Sequence, residues 1–152
     1  MKDMDEKFFL CVEIGGTNLR YGVVTKDYTL KQFDKIPSKG LSDARDKGEY
    51  LKQLLDPVVE ENGGVSNFMC ISLSLASLMN RDRTICYNSP NIQGFDNLPL
   101  KAILENLWGL PVIMERDVNT SLLYDLWKNH MGQEGIVIGV YIGTGLGNAM
   151  SI

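Results

Sequence analysis

Histidine is nearly absent from this chain: His130 is the only one in 152 residues. A single imidazole excludes a metal cluster built from several histidines of this chain alone. Cysteine is scarce and odd in number, and no two of Cys11, Cys70 and Cys86 are spaced as a metal or redox pair. Cys11 and Cys70 fall in apolar stretches and read as small core residues, which points to a reducing cytoplasm and no disulfide framework. There is no basic excess. The 15 Lys and Arg face 19 Asp and Glu, a net charge of −4, so the footprint expected of nucleic-acid or membrane-surface binding is missing. No apolar run approaches the roughly 20 residues of a membrane span. The charged residues 1–7 lead into a short strand, not into a signal-peptide core. Internal repeats and low-complexity segments are lacking too. So are the standard nucleotide motifs: G-x-x-x-x-G-K-[ST] does not occur, and Gly143-Thr144-Gly145-Leu146-Gly147 is followed by Asn148 where the dinucleotide fingerprint wants Gly or Ala. A P-loop NTPase and an NAD-binding domain are both disfavoured.

What is present suits a globular domain with a full core: 44% hydrophobic and 22% charged residues. Residues 8–14 read as a buried strand, 19–25 as a second and 29–37 as a third. The short turn Gly15-Gly16-Thr17 makes the first two antiparallel. Residues 38–47 are polar and read as a loop. Tyr50, Leu51, Leu54, Leu55, Val58 and Val59 recur at helical spacing. Pro57 either kinks that helix or opens a second short one capped by Asp56. Residues 68–75 form a strand and 84–87 a short extended piece. A helix spans 100–108, closed by Gly109. The strand at 112–114 leads into a helix over 118–129, and residues 135–142 form the last clear strand before a Gly-rich turn and a further strand from 148. The order is β-β-β-α-β-α-β-α, then a new β-turn-β.

Glu115-Arg116-Asp117-Val118-Asn119 sits where a strand becomes a helix. An Asp at that corner stands at the carboxyl end of the strand, where ligands of open α/β sheets bind. The plainer alternative is an N-cap, bonding a backbone N–H two or three residues on. The two Gly/Thr turns are likewise open to two readings. Their backbone N–H groups can cradle phosphate oxygens, with Gly allowing close approach, or they are hairpin turns that simply need φ > 0.

A pair of Gly/Thr turns with a strand-end Asp between them resembles the actin-like ATPase (ribonuclease H-like) fold, an α/β mixed sheet with flanking helices. Within it the chain is similar to the ROK family (repressors, open reading frames, kinases) of sugar kinases. The resemblance rests on Glu13-Ile14-Gly15-Gly16-Thr17-Asn18-Leu19-Arg20, Ser89-Pro90-Asn91, residues 115–119 and residues 143–147, and the run Arg116-Asp117-Val118-Asn119 looks most like the D-allose kinase branch. It implies ATP-dependent phosphorylation of a hexose at its 6-hydroxyl, with ATP and Mg²⁺ as cofactors. Asp117 is then the general base. Gly15, Gly16 and Thr17 hold phosphates near the Mg²⁺, with Glu13 facing the metal or its waters. Gly143, Thr144, Gly145 and Gly147 hold the other side of the phosphates. Ser77, Asn91, Arg116 and Asp117 contact the sugar. The resemblance further implies a cytoplasmic homodimer with no nucleic-acid or membrane partner.

There are departures from the family pattern. Glu13 replaces the usual Asp, one methylene longer. Arg116 replaces the usual Asn before the base; it offers five donors and no acceptor, which suits a hexose other than glucose, or it forms an ion pair with Glu115 or Glu13. Ser74 and Ala76 stand where Gly and Pro are common. Kinases of this family are about twice this length, so residues 1–132 are expected to be an N-terminal lobe and 133–152 the first hairpin of an absent second lobe. The expectation is a lobe inactive on its own. The competing readings are a sugar-binding module without catalysis and a fragment of a ROK-type regulator, the latter without room for a helix-turn-helix ahead of the first strand.

Overall fold

A computed structural model describes residues 6–130, 135–143 and 145–152. Strands β1 (Phe8–Ile14), β2 (Asn18–Thr25) and β3 (Leu30–Pro37) form an antiparallel meander. Helices α1 (Lys39–Asp43) and α2 (Lys47–Glu61) carry the chain back to β4 (Phe68–Leu75), which lies parallel to β1. The short strands β5 (Leu78–Met79) and β6 (Cys86–Asn88) pair with each other. Helix α3 (Leu100–Trp108) then leads to β7 (Val112–Arg116), parallel to β4. Helix α4 (Asp117–Lys128) and the hairpin of β8 (Val137–Ile142) and β9 (Leu146–Ser151) complete the described chain. The main sheet has the order β3-β2-β1-β4-β7. Among the described residues no helix is long and apolar enough to cross a membrane.

Strand alternation decides which face is buried. Phe8, Leu10, Val12 and Ile14 of β1, Leu19, Tyr21 and Val23 of β2, Ile71, Leu73 and Leu75 of β4, and Val112 and Met114 of β7 are all buried. They meet Leu51, Leu55, Val58 and Val59 of α2 and Leu100, Leu104 and Trp108 of α3 in one core. The alternate positions, among them Cys11, Glu13, Arg20, Ser72 and Ile113, are less buried, and α4 packs near β4 and β7. Cys70 is buried as expected of a small core residue, but Cys11 is only half-buried. Burial nonetheless pushes the Cys11 thiol up to about 11, with Cys70 nearby adding to the shift.

Helix α2 is one helix, not the pair that an Asp56 cap would give. It is continuous through Pro57, and its N-cap is Asp46, whose side chain accepts from the Glu49 N–H at 3.0 Å. Asp56 caps nothing. It accepts the Trp108 indole N–H at 2.9 Å and pairs with Lys52 at 2.5 Å, tying α3 to α2. Residues 38–47, expected as loop, contain α1. That helix is too short to persist on its own and is held from outside. Buried Lys47 donates to the carbonyls of Leu41, Ser42 and Ala44 at 3.0, 2.7 and 2.8 Å. Helix α3 matches its expected span and ends on Gly109 at φ 64°, a left-handed cap where a side chain would be strained.

Candidate active site

The three parallel strands β1, β4 and β7 end at the same edge of the sheet, with Ile14, Leu75 and Arg116 as their last residues. The segments leaving those strand ends therefore converge: the Gly15-Gly16-Thr17 turn, Ala76-Ser77, and Asp117. Together with Asn91 from the loop after β6 and with Gly143, Gly145 and Gly147 of the β8–β9 turn, they line one cleft of about 490 Å³. The residues predicted from sequence are thus brought to one place, apart from Thr144, which lies outside the described residues.

The first turn is pinned from behind. Ser38, fully buried at the start of α1, donates its hydroxyl to the Gly15 carbonyl at 2.6 Å and its N–H to the Thr17 carbonyl at 3.0 Å. The simple need for φ > 0 does not explain the glycines here, because none of Gly15, Gly16, Gly143, Gly145 and Gly147 has positive φ. Two of them are required by close approach. A Cβ on Gly16 would lie 2.6 Å from the Asn91 Cβ, and one on Gly147 would lie 2.4 Å from the Val118 Cγ1. Gly143 and Gly145 face open space, with nothing within 4 Å of a built Cβ. Those are surfaces a ligand's phosphate can reach without obstruction.

Asp117 opens α4, but it does not cap it in the usual way. Its Oδ1 accepts from the next N–H, that of Val118, at 2.8 Å, and among the described residues from no N–H two or three further on. Asn119, two residues on, instead donates its side-chain amide to Glu115 Oε1 at 2.8 Å. Neither ion pair open to Arg116 has formed. Glu115 pairs with Arg83 at 3.0 Å, and Glu13 pairs with Arg20 at 2.5 Å. Arg116 has no ion pair among the described residues and lines the cleft beside Asp117.

Ser77 and Asn91 differ in what they can offer. The Ser77 hydroxyl accepts from the Ser89 hydroxyl at 2.6 Å and sits 3.0 Å from the Leu78 carbonyl, so it knits β5 to the loop after β6. Asn91 is exposed at the rim. Arg20 closes the first sequence motif, which assigns it no role, yet it lines this cleft too. Counting outward from the Gly15-Gly16-Thr17 turn pairs Ile14 with Leu19 and Glu13 with Arg20, which is the observed register. That signal was available in the sequence. A second cleft of about 610 Å³ lies on the open sheet face, lined by Cys11, Leu30, Phe33, Ser72 and Tyr124, and shares Glu13, Arg20 and Asp117 with the first.

For a divalent cation, Glu13 and Asp117 are the carboxylates lining the cleft, and the described residues hold no cluster of three or more metal-ligating side chains. Such a donor set does not make a protein cage. It fits Mg²⁺ delivered by phosphate oxygens, which keeps several waters and needs one or two carboxylates.

The mixed sheet with flanking helices, with two Gly turns and a strand-end Asp at its carboxyl edge, has the actin-like ATPase fold. More narrowly, the chain belongs to the ROK family, whose sequence model matches residues 9–152. It is 30% identical over 145 residues to a glucokinase of Streptomyces coelicolor, covering 93% of this chain and 42% of that protein. It is 30% identical over 138 residues to a β-glucoside kinase of Listeria monocytogenes, covering 91% and 44%. Its fold matches a ROK family glucokinase from Streptomyces griseus, solved with glucose and AMPPNP, at a TM-score of 0.75 and 24% identity over 95% of this chain and 44% of that one. The chain spans less than half the length of these relatives.

Proposed function

We propose that this chain carries the general base and the first phosphate turn of an ATP-dependent hexose kinase. The observation that carries the reading is the convergence of Asp117, both Gly turns, Asn91 and Arg116 on one cleft. Asp117 takes the proton of the sugar's 6-hydroxyl as that oxygen attacks the γ-phosphorus. The Val118 N–H on its Oδ1 fixes the carboxylate's direction. Phosphoryl transfer asks for such positioning more than for covalent chemistry. Gly15, Gly16 and Thr17 lie along one side of the phosphates, and Gly143, Gly145 and Gly147 along the other. Bound Mg²⁺ supplies charge neutralisation, with Glu13 reaching it directly or through water. Asn91 and Arg116 address the sugar hydroxyls, and Ser77 adds a hydroxyl to the same wall. Because Arg116 stands where the family usually has Asn, D-allose heads the hexoses to test. Residues 133–152 start a second lobe in this reading, and the working protein is a cytoplasmic homodimer.

The test is a hexose panel with ATP and Mg²⁺, run on the 152-residue chain and on the natural gene product, whose intact mass is measured alongside. The chain alone is expected to be silent. The gene product is expected to phosphorylate a hexose, and Asp117→Asn lowers its kcat by about 10²- to 10⁴-fold. A gene product that binds hexose with unchanged affinity in Asp117→Asn, and never consumes ATP, would replace the kinase with a sugar-binding module.

A further inference from the structure

Asp117 is flanked by a second carboxylate that faces its own corner. Glu115, near the end of β7, uses Oε1 on both sides of Asp117: it accepts the Arg116 N–H at 2.9 Å and the Asn119 side-chain amide at 2.8 Å. Its Oε2 is taken by Arg83 Nη2 at 3.0 Å. Arg83 comes from a different wall. It lies in the turn between β5 and β6, the hairpin with Ser77 just before it and Ser89 to Asn91 just after. Among the described residues that hairpin forms a sheet of its own, so no strand ladder fixes its distance from β7. The turn is itself well bonded: Asn80 Oδ1 accepts the N–H groups of Thr84 and Ile85 at 2.7 and 2.9 Å, and the Asn80 carbonyl accepts that of Arg83 at 3.0 Å. Arg83 sits there at φ 53°, a left-handed conformation that Gly or Asn adopts at lower cost. What the arginine adds is the reach to Glu115, whose side chain is only 18% exposed. A carboxylate so far withdrawn from water depends on its partners more than one in a surface pair does.

We propose that Arg83 is a positioning residue for the base: its guanidinium latches the β5–β6 hairpin onto Glu115, and Glu115 in turn fixes the corner from which Asp117 projects. The proposal rests on the kinase reading and adds to it a residue outside the cleft lining. The hairpin bears the Ser77 and Asn91 side of the cleft, and the corner bears the base. One ion pair thus sets the spacing between the sugar wall and the carboxylate that must meet the sugar's hydroxyl. No covalent step is involved, and Arg83 touches no substrate. The competing role is a surface ion pair that adds a little stability and nothing else.

Kinetics of the natural gene product and NMR of the 152-residue chain separate the two roles. Gln and Lys are unbranched at Cβ, as Arg is, so neither changes the demand on the turn. Arg83→Gln is expected to lower kcat about tenfold, short of the roughly hundredfold that a full ångström of misplacement costs, with the hexose KM nearly unchanged. Arg83→Lys keeps the charge and is expected to recover part of the loss. In an Asp117→Asn background Arg83→Gln is expected to cost nothing more, because no base is left to aim. In the 152-residue chain it lowers the backbone order parameters of residues 116–119 while those of β1 and β4 hold. An unchanged kcat in Arg83→Gln overturns the proposal. So does a loss that persists undiminished in the Asp117→Asn background, or one that only follows a lowered thermal midpoint. A gene product that phosphorylates no hexose ends the kinase reading instead; the order parameters then judge the latch by themselves, and unaltered values overturn it.

Discussion

The five-stranded sheet and the β8–β9 hairpin bury their apolar side chains in different ways. On its α2/α3 side the sheet contributes Leu10, Ile14, Leu19, Val23, Ile71 and Leu75, all fully buried in one core. The hairpin rests on α4 through a small cluster of Val118, Leu122 and Ala149. Its outward side chains, Ile138, Val140, Ile142, Leu146 and Met150, remain exposed. The sheet's core suffices to hold it as one cooperative body. A hairpin held on one face by so small a cluster is expected to open locally at a lower free energy than the sheet. Asp117 lies on the seam, since it directly succeeds β7 and begins the helix on which the hairpin sits. The cleft is thus built half on a rigid wall and half on a yielding one.

The sharpest way to break the comparison is to cut the same side chain from each body. Leu10→Ala is expected to cost about 2–5 kcal/mol in urea unfolding, because its surroundings cannot collapse. Leu122→Ala sits in the smaller cluster and is expected at or below about 2 kcal/mol. It should accelerate amide exchange in β8 and β9 while β1 and β4 stay protected. Equal loss of protection in both bodies would erase the distinction. An effect of comparable size comes from Gly147→Ala, whose new methyl meets Val118. We expect about 1–3 kcal/mol of strain, read as a lowered thermal midpoint and relieved when Val118→Ala is added. Strain that survives the second change would place the clash elsewhere. The smallest effect on stability is that of Ile138→Lys on the outward face, within about 0.5 kcal/mol. The same change should lower concentration-dependent self-association in sedimentation, since an exposed apolar strand pair invites partners. A wild-type chain that stays monomeric at high concentration would dismiss that face as sticky.

The features legible in the sequence are those that local pattern decides. The apolar runs at 8–14 and 68–75 and the spacing of Leu100, Ile103, Leu104 and Leu107 mark β1, β4 and α3 at their observed bounds. The Gly turns and Asp117 could be found because their residue types are unusual for a core. The features that escaped depend on partners distant in the chain. Helix α1 exists because Lys47 and Ser38 hold its two ends. Asp56 caps no second helix; Trp108, from α3, donates to its carboxylate instead. Arg116 could not be separated from an ion-pair role by sequence, since that turned on Arg83 and Arg20 reaching Glu115 and Glu13 first.

The stretch from Ser89 to Leu98 contains no helix or strand, yet it is no slack loop. Ile92 and Phe95 are plugged into the protein interior, the Ser89 N–H is held by Asp96 at 2.9 Å, and the Leu98 carbonyl accepts from the Cys86 N–H at 3.1 Å. The conformational entropy of this segment is surrendered when the chain folds, not when a ligand arrives. On the proposed reading, a sugar hydroxyl bonding Asn91 would meet an amide whose backbone is already fixed, which lowers the ordering cost of binding.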